Sequence, residues 1–592
     1  MKLSDYVFKY IETLGVKHVF YLPGGGAMHL DNSLGENESL NAICMLHEQS
    51  CSIAAEAYSR ISDGFGVCLV TSGPGATNTI TGLAGAWLDS TPVIFISGQA
   101  KTADLVGDQN IRQFGVQEIN IIDIVKPITK YAVQILDPND IQYELEKATL
   151  KATEGKPGPV WIDIPLDIQA SYIEPDSLRH YDTNKEECLC GEDDIDKVIS
   201  LINDSERPLL ILGHGIRLAH AIPEMNELIE YLQVPVMTTW NGVDLIDDES
   251  PLFYGRPGAI GHRYSNIIQQ KADLVITLGT RLNLIATGYN YESLFKNAKH
   301  VMVEIDANEM NKASVHPFLK VHSDVKYFMN RLLDRRDEID NKKRDKWISF
   351  CDELKQRFPL FGDYQNPPAG YVSTYNLARC ISNKLTGNDI LQFTSSGTAI
   401  DIFMYCVQMK KGLRAFLTKG LASMGFDLPA SIGSCLAANG SRTICLTGDG
   451  SFMMNIQELS VLKALNLPIK LFILDNSGYG MIYNSQVNNF GRTTGCTEES
   501  GLYLPKISEV VKSFGIETFE INSEDELENV TQRVFDSNGP AVCVVNIYIG
   551  QKILPRQTNY MMENGQMASR PLEDMSPLLD EDELKSIMDY TI

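Results

Sequence analysis

No stretch of this 592-residue chain reaches the roughly 18 consecutive apolar residues that a bilayer-spanning helix needs, so no membrane span is expected. Positive charge is scarce. Lys and Arg total 51 against 76 Asp and Glu, a net charge of −25, which argues against nucleic acid or an anionic membrane as partner. An anionic small substrate would need local positive charge from a metal or a helix N-terminus. The twelve cysteines form no CxxC pair, and several sit inside apolar runs such as "RTICLTG" and "AVCVVNI". That pattern argues against zinc clusters and disulfides and fits buried free thiols in a reducing compartment. The opening "MKLSDYVFKYIETLG" has the period of an amphipathic helix and lacks a signal-peptide pattern. A cytoplasmic protein is the expectation.

What is present in quantity is apolar sequence, 44% of the residues, enough for several cores and about three to four domains. Short β-rich runs alternate with helical patterns throughout. Examples are "GVCLVTSG", "PVIFISG", "PLLILGHG", "DLVITLG", "HVMVEID", "TICLTGDG" and "IKLFILDN". Continuous apolar strands of this kind are buried on both faces, and their alternation with helices predicts an α/β class with doubly wound parallel sheets. Three blocks are expected, at about 1–170, 191–330 and 369–550. A polar linker "PDSLRHYDTNKEECLCGEDD" separates the first two, and charged helical sequence separates the second from the third. Residues 551–592 read as a tail with one short helix.

The first and third blocks share a repeat. "GVCLVTSGPGATN" leads to "DSTPVIFISG", and "RTICLTGDGSFMMN" leads to "NLPIKLFILDNSG". Each is a strand, a glycine-x-glycine turn, a helix, and a proline that opens another strand. Gly73 lies 19 positions before Pro92, and Gly448 lies 20 before Pro468. Two such units imply two related domains. They differ at the central turn position, Pro74 in one and Asp449 in the other.

Asp449 thus stands where an α/β sheet binds ligands, at the carboxyl edge of a parallel strand. Gly448 and Gly450 let backbone approach a phosphate, and Ser451 is expected to open a helix whose free N–H groups favour an anion. Asp449 offers a hard oxygen to Mg²⁺, which takes few protein ligands beside substrate phosphates. The next strand ends at Asn476, 27 positions later. The Asn476 side-chain oxygen and the Gly478 carbonyl would complete a half-shell of three oxygens. Either turn alone is an ordinary Asx-type turn; strand, helix and strand joining them at this spacing favour a metal that holds a diphosphate.

GDG followed after about 25 residues by Asn is similar to the signature of thiamine diphosphate enzymes. The resemblance extends over nearly the whole chain to the acetolactate synthase large-subunit-like branch, through "LPGGG", "HEQSCSIAAEAYSR", "TSGPGATNTITGLAGAWLDSTPVI", "SMGFDLPASIG" and "GDGSFMMNIQEL". It implies three domains that bind the pyrimidine, a nucleotide-like group and the diphosphate. Thiamine diphosphate and Mg²⁺ would be cofactors. By resemblance, Glu48 is the carboxylic acid beside the pyrimidine nitrogen, and its place after the apolar run "NAICML" predicts a strand-end carboxyl in apolar surroundings. Gly25 would offer a carbonyl to the pyrimidine amino group, and Met424 would wedge beneath the coenzyme. Gly26, Pro74, Asn78, Gly397, Thr398, Ser423, Gly480 and Met481 carry over as further coenzyme contacts. Glu56, within helical sequence, reads as structural. Ring and diphosphate contacts come from different subunits in this family, so self-association is implied, a dimer at least and a tetramer in some members. In the middle block "LGHG", "LGTR" with Arg281, and "EID" ending at Asp306 match the region that holds FAD in the synthases. The family's charged cluster after Arg281 is replaced by "LNLIA", so FAD is allowed without being required.

The same resemblance implies decarboxylation of a pyruvate-like 2-oxo acid with carboligation, Gln117 matching the synthases' active-site glutamine. Three departures bear on the acceptor: Leu166 replaces the usual lysine, Ser485 the usual tryptophan, and "SSGTAID" lacks the usual histidine, with Asp401 nearby. One alternative expectation is therefore a carboligase that transfers a two-carbon unit to another acceptor such as a keto-sugar nucleotide. A simple 2-oxo acid decarboxylase is another. A non-catalytic homologue fits poorly with intact Glu48, Asp449 and Asn476.

Overall fold

A computed structural model of the chain describes residues 1–182, 184, 187–340, 344–362, 365–393 and 397–590. It contains three sheets of parallel strands with helices between them. The first has β1 (His18–Tyr21), β2 (Asn41–Cys44), β3 (Gly66–Val70), β4 (Val93–Gln99), β5 (Tyr131–Gln134) and β6 (Val160–Pro165), ordered β2-β1-β3-β4-β6-β5. The second has β7 (Pro208–Leu212), β8 (Val236–Thr238), β9 (Leu274–Leu278), β10 (Lys299–Glu304) and β11 (Leu319–His322), ordered β8-β7-β9-β10-β11. The third has β12 (Ile390–Gln392), β13 (Arg414–Phe416), β14 (Thr443–Gly448), β15 (Ile469–Asp475), β16 (Glu517–Ile521) and β17 (Ala541–Asn546), ordered β13-β12-β14-β15-β17-β16. Every run quoted above as a strand forms one. The central strands are apolar because both faces are covered: every residue of β3, β4 and β6 is buried.

Numbered within itself, the first sheet runs 2-1-3-4-6-5, and so does the third. The repeat seen in the sequence is therefore a repeat of topology, and its two turns follow the third strand of each sheet. In such sheets the chain reverses its direction of winding between the first and third strands, and ligands bind outside the carboxyl ends there. In the first sheet that point lies between the loops after β1 and β3, residues 22–26 and 71–75. In the third it lies between the carboxyl ends of β12 and β14. The structure thus puts the glycine loops and the GDG turn at equivalent edges.

The first sheet and the third, apart from the first two residues of β13, belong to one compact unit, residues 1–186, 388–399 and 416–549. Within it, helix Glu48–Ser62 packs along helix Asp427–Ala437, with Ile53, Ala57 and Ile61 against Phe426 and Ala430. The other unit takes residues 187–387, 400–415 and 550–592. Its core gathers around the second sheet, from Ile195 and Leu210 to Phe328 and Leu332. At its C-terminal end it carries an antiparallel hairpin, Asn559–Met561 with Met567–Ser569, that the sequence does not announce, and helix Glu581–Asp589. Ten of the twelve thiols are buried, Cys44 and Cys188 being the others, and all are free.

Glu56 lies in the middle of helix Glu48–Ser62 and is fully buried. Arg60 stands 3.5 Å from it and 3.1 Å from Asp89. Among the described residues neither Glu56 oxygen receives a hydrogen bond. Burial pushes its carboxyl up to about 8, the nearby Arg60 opposing the shift and Asp89 adding to it. A carboxyl whose folded pKa lies above its unfolded value leaves the native state holding more protons between the two, so stability falls as pH rises across that window. Glu56→Gln is therefore expected to raise the melting temperature at pH 8, by about 1 °C per kcal/mol regained for a chain of this length. It should have little effect at pH 4, where both states are protonated. Thermal melts at the two pH values check this.

Candidate active site

The first-block residues converge on the β1/β3 edge. The loop Gly24–Gly26 is held on three sides: Gly24 N–H donates to Asp31 (3.0 Å), Gly26 N–H to the Thr71 hydroxyl (3.0 Å), and the Gln169 amide donates to the Gly26 carbonyl (2.8 Å). Gly25 between them faces open space. Burial pushes the Asp31 carboxyl up to about 6, against the Gly24 hydrogen bond that stabilises its charge. Asp31, Thr71 and Gln169 shape this loop, from seven, 45 and 143 positions away, and no local sequence pattern announces them.

Glu48 differs from expectation in one respect. It does not end a strand in an apolar pocket; it is the first residue of helix Glu48–Ser62, half-buried, with the Asn78 amide donating to its carboxylate at 2.9 Å. The chain leaves β2 at Cys44 and turns because His47 caps the helix, its Nδ1 accepting the Gln49 N–H at 3.0 Å. Glu458, fully buried in the third block, accepts the Leu46 N–H at 3.2 Å, and Ser50 donates to Asn455 at 3.2 Å. Pro74 opens the short helix Pro74–Thr77, and a side chain on the adjacent Gly75 would approach Glu48 to 3.7 Å. Gly25, Gly26, Pro74, Asn78 and Glu48 thus form one cluster.

The second cluster sits at the ends of β14 and β15, which pair in parallel with Gly448 opposite Leu474. Asp449 is 2% exposed. One carboxylate oxygen accepts the Gly450 N–H (2.7 Å); the other accepts those of Asn476 (3.2 Å) and Gly478 (3.0 Å). The two turns that the sequence separates by 27 positions therefore meet on one carboxylate. Burial, followed by the neighbouring Asp475 charge, raises the Asp449 pKa. The Asn476 side-chain oxygen is buried and has no hydrogen-bond partner among the described residues. An unpartnered carbonyl-type oxygen beside a buried carboxylate is a donor set suited to a hard cation.

Gly450 is pressed between Tyr479 and Met424: a Cβ there would lie 2.3 Å from the Tyr479 ring and 3.4 Å from the Met424 methyl. Gly480 lies against the Asn476 amide, and Gly397 against Met481. Ser423 follows Ala422, whose φ is +58°, in the loop that leads to Met424, and Thr398 begins helix Thr398–Cys406. The residues Ser395 and Ser396 of the "SSGTAID" loop lie outside the described residues. Ser451 does not open a long helix. Helix Asp449–Phe452 spans four residues and passes into a 3-10 turn Met453–Glu458 kinked at Asn455. The kink has a cause: the Asn455 side chain is bonded to Ser50 and to the Gly425 carbonyl. Ser451 instead donates to Asp427, as does Thr447, so this fully buried aspartate ties the end of β14 to the turn after it. An acidic residue at the head of the apolar run "DLPASIG" is the sequence signal for it.

Gln117, exposed and at φ +59°, lies with its backbone carbonyl against Gly73. In the second unit Arg281 and Asp306 follow the neighbouring strands β9 and β10; the Arg281 carbonyl accepts from Lys312, and Asp306 accepts the Asn308 N–H at 3.0 Å.

The chain matches three family profiles in order: the thiamine pyrophosphate enzyme N-terminal TPP binding domain over residues 1–124, the central domain over 195–332 and the C-terminal TPP binding domain over 396–545. It belongs to the thiamine pyrophosphate enzyme family. Among curated relatives it is 31% identical to the acetolactate synthase large subunit of Cyanidium caldarium, over 92% of this chain and 94% of that protein. It is 30% identical to the acetolactate synthase isozyme 1 large subunit of Escherichia coli K12, over 93% and 95%. It is 32% identical to a probable acetolactate synthase large subunit of Methanocaldococcus jannaschii, over 91% of each. As a thiamine pyrophosphate enzyme of this acetolactate synthase-like group it carries two TPP-binding domains, and each contains one of the two clusters described above.

Proposed function

We propose that this enzyme uses thiamine diphosphate and Mg²⁺ to decarboxylate a pyruvate-like 2-oxo acid and to join the remaining two-carbon unit to a second carbonyl compound. The observation that carries the reading is the convergence of Asp449, Asn476 and Gly478, with a buried Asn476 oxygen left for a cation. Mg²⁺ would be held by an Asp449 oxygen, the Asn476 side-chain oxygen and the Gly478 carbonyl, and would offset the diphosphate charge that this acidic chain has little else to meet. Thiamine diphosphate, when bound, supplies a thiazolium carbon that attacks the 2-oxo carbonyl and accepts the electrons released with CO₂. Glu48 would hold and exchange the proton at the pyrimidine ring nitrogen. The Gly25 carbonyl would orient the pyrimidine amino group, and Met424 would support the coenzyme from below. Gln117 would hydrogen-bond the substrate carboxylate. The two clusters would complete one another across a dimer.

Transfer to a larger acceptor, such as a keto-sugar nucleotide, is the second reading. Helix Gly480–Phe490, which carries Ser485, buries none of its residues, and Leu166 is only half-buried. What supports this reading is that Ser485 and Leu166 are smaller or uncharged where the family usually has tryptophan and lysine. Pyruvate supplied alone, with thiamine diphosphate and Mg²⁺, separates the readings. Acetolactate together with CO₂ favours the first, and CO₂ without acetolactate favours the second. No CO₂ from pyruvate or 2-oxobutyrate would sink both.

A further inference from the structure

Loop 101–119 carries Gln117 and leaves large apolar side chains in solvent, Val116 at 90% exposure and Phe114 at 55%. A loop so poorly buried would be expected to wander, yet it is closed by hydrogen bonds to carboxylates. At its entry the Thr102 N–H donates to Asp167 at 2.9 Å, and the Thr102 hydroxyl donates to the same group. At its exit the Gln99 amide donates to the Ile119 carbonyl (3.0 Å) and to Asp163 (3.1 Å). In the middle Glu118 collects three backbone donors: Val106 N–H on one oxygen, Phe114 (2.9 Å) and Gly115 (3.1 Å) on the other. The Gln113 amide also donates to the Glu118 carbonyl at 3.0 Å. One side chain therefore binds both arms of the loop.

The residue before Glu118 is the one this closure presents. Gln117 has φ +59°, a left-handed conformation that a non-glycine residue keeps only when its surroundings enforce it. Its carbonyl is pressed against Gly73, itself at φ +60°, where an added Cβ would come within 2.7 Å. The strained backbone, the glycine that makes room for it and the three-donor carboxylate next in sequence act on one position.

We propose that Glu118 is a positioning residue for Gln117, its carboxylate closing the loop so that the Gln117 amide is presented beside Gly73 and Pro74 to the carboxylate of a 2-oxo acid. This rests on the reading of Gln117 given above. Exchange of one Glu118 oxygen for an amide sets a donor against the donors it now receives, and a loosened reacting geometry costs up to about a hundredfold in rate.

The test is a double-mutant cycle on the intact enzyme. Glu118→Gln is expected to lower kcat/KM for the 2-oxo acid roughly 10- to 100-fold, with thiamine diphosphate affinity unchanged and faster hydrogen exchange at the Val106, Phe114 and Gly115 amides. The Glu118→Gln/Gln117→Ala double variant should be no worse than Gln117→Ala alone, because both changes remove one interaction. Additive losses, or an unaffected Glu118→Gln beside a damaged Gln117→Ala, would overturn the inference alone. A silent Gln117→Ala would overturn the Gln117 reading and this inference with it. Should Glu118→Gln be insoluble, Glu118→Asp, which keeps the charge but shortens the reach, is read by the same criteria.

Discussion

Glu48→Gln is expected to keep its coenzyme and lose most of its turnover. Glutamine has the same length and can still accept the Asn78 hydrogen bond that glutamate receives at 2.9 Å. The helix start is also undisturbed, because its cap is His47 and its tether is Glu458. What the amide cannot do is give up and regain a proton. Positioned proton transfer contributes roughly 10²–10⁴-fold to an enzymatic rate, so CO₂ release from pyruvate should fall by that range. Thiamine diphosphate affinity, followed by calorimetry with Mg²⁺ present, should change little. Equal turnover in the variant would remove Glu48 from the proton path. A parallel loss of coenzyme binding would make it a structural contact.

The Asp449→Ala variant should fail one step earlier. Three backbone N–H groups, of Gly450, Asn476 and Gly478, end on this carboxylate. Each buried donor left without a partner costs about 1–3 kcal/mol. The turns that bring Asn476 to the β14 edge would therefore loosen as the cation loses its charged ligand. Coenzyme retention should become independent of Mg²⁺ and weak. Titration of thiamine diphosphate into wild type and variant, with and without Mg²⁺, reads this directly. Retention that still responds to Mg²⁺ in the variant would move the metal elsewhere. Asp449→Asn, which loses the charge but keeps one carbonyl oxygen for part of the donor set, should fall between wild type and Asp449→Ala in coenzyme retention.

Much of this site is legible in the sequence because it depends on local order. Strand, turn, helix and strand at a fixed spacing put Asp449 and Asn476 at neighbouring strand ends whatever the remainder of the chain does. The "TSGPG" and "TGDG" turns are recognisable as copies for the same reason, and the continuous apolar runs mark β3, β4, β14 and β15. Other residues of the site carry a weaker mark or none. Asp427 reads as one polar residue at a helix start, yet it accepts from both Thr447 and Ser451. Glu458 reads as part of a helix, yet its carboxylate meets the Leu46 N–H 412 positions away. Glu48 was expected at a strand end, and a capping histidine one residue earlier makes it the start of a helix instead.

The amino-acid sequence by itself determined the α/β class, the paired βαβ units and the two turns at Asp449 and Asn476, because periodicity, glycine spacing and one carboxylate between two glycines act over a few dozen residues; the family followed from the resemblance of its motifs. Tertiary structure alone decided that the first and third sheets pack in one unit, that Glu458 reaches the segment bearing Glu48, and that Glu118 draws both arms of the Gln117 loop together. Those contacts are hydrogen bonds between groups remote in the chain or across an irregular loop, and no residue pattern encodes a partner whose position is set only when the chain has folded.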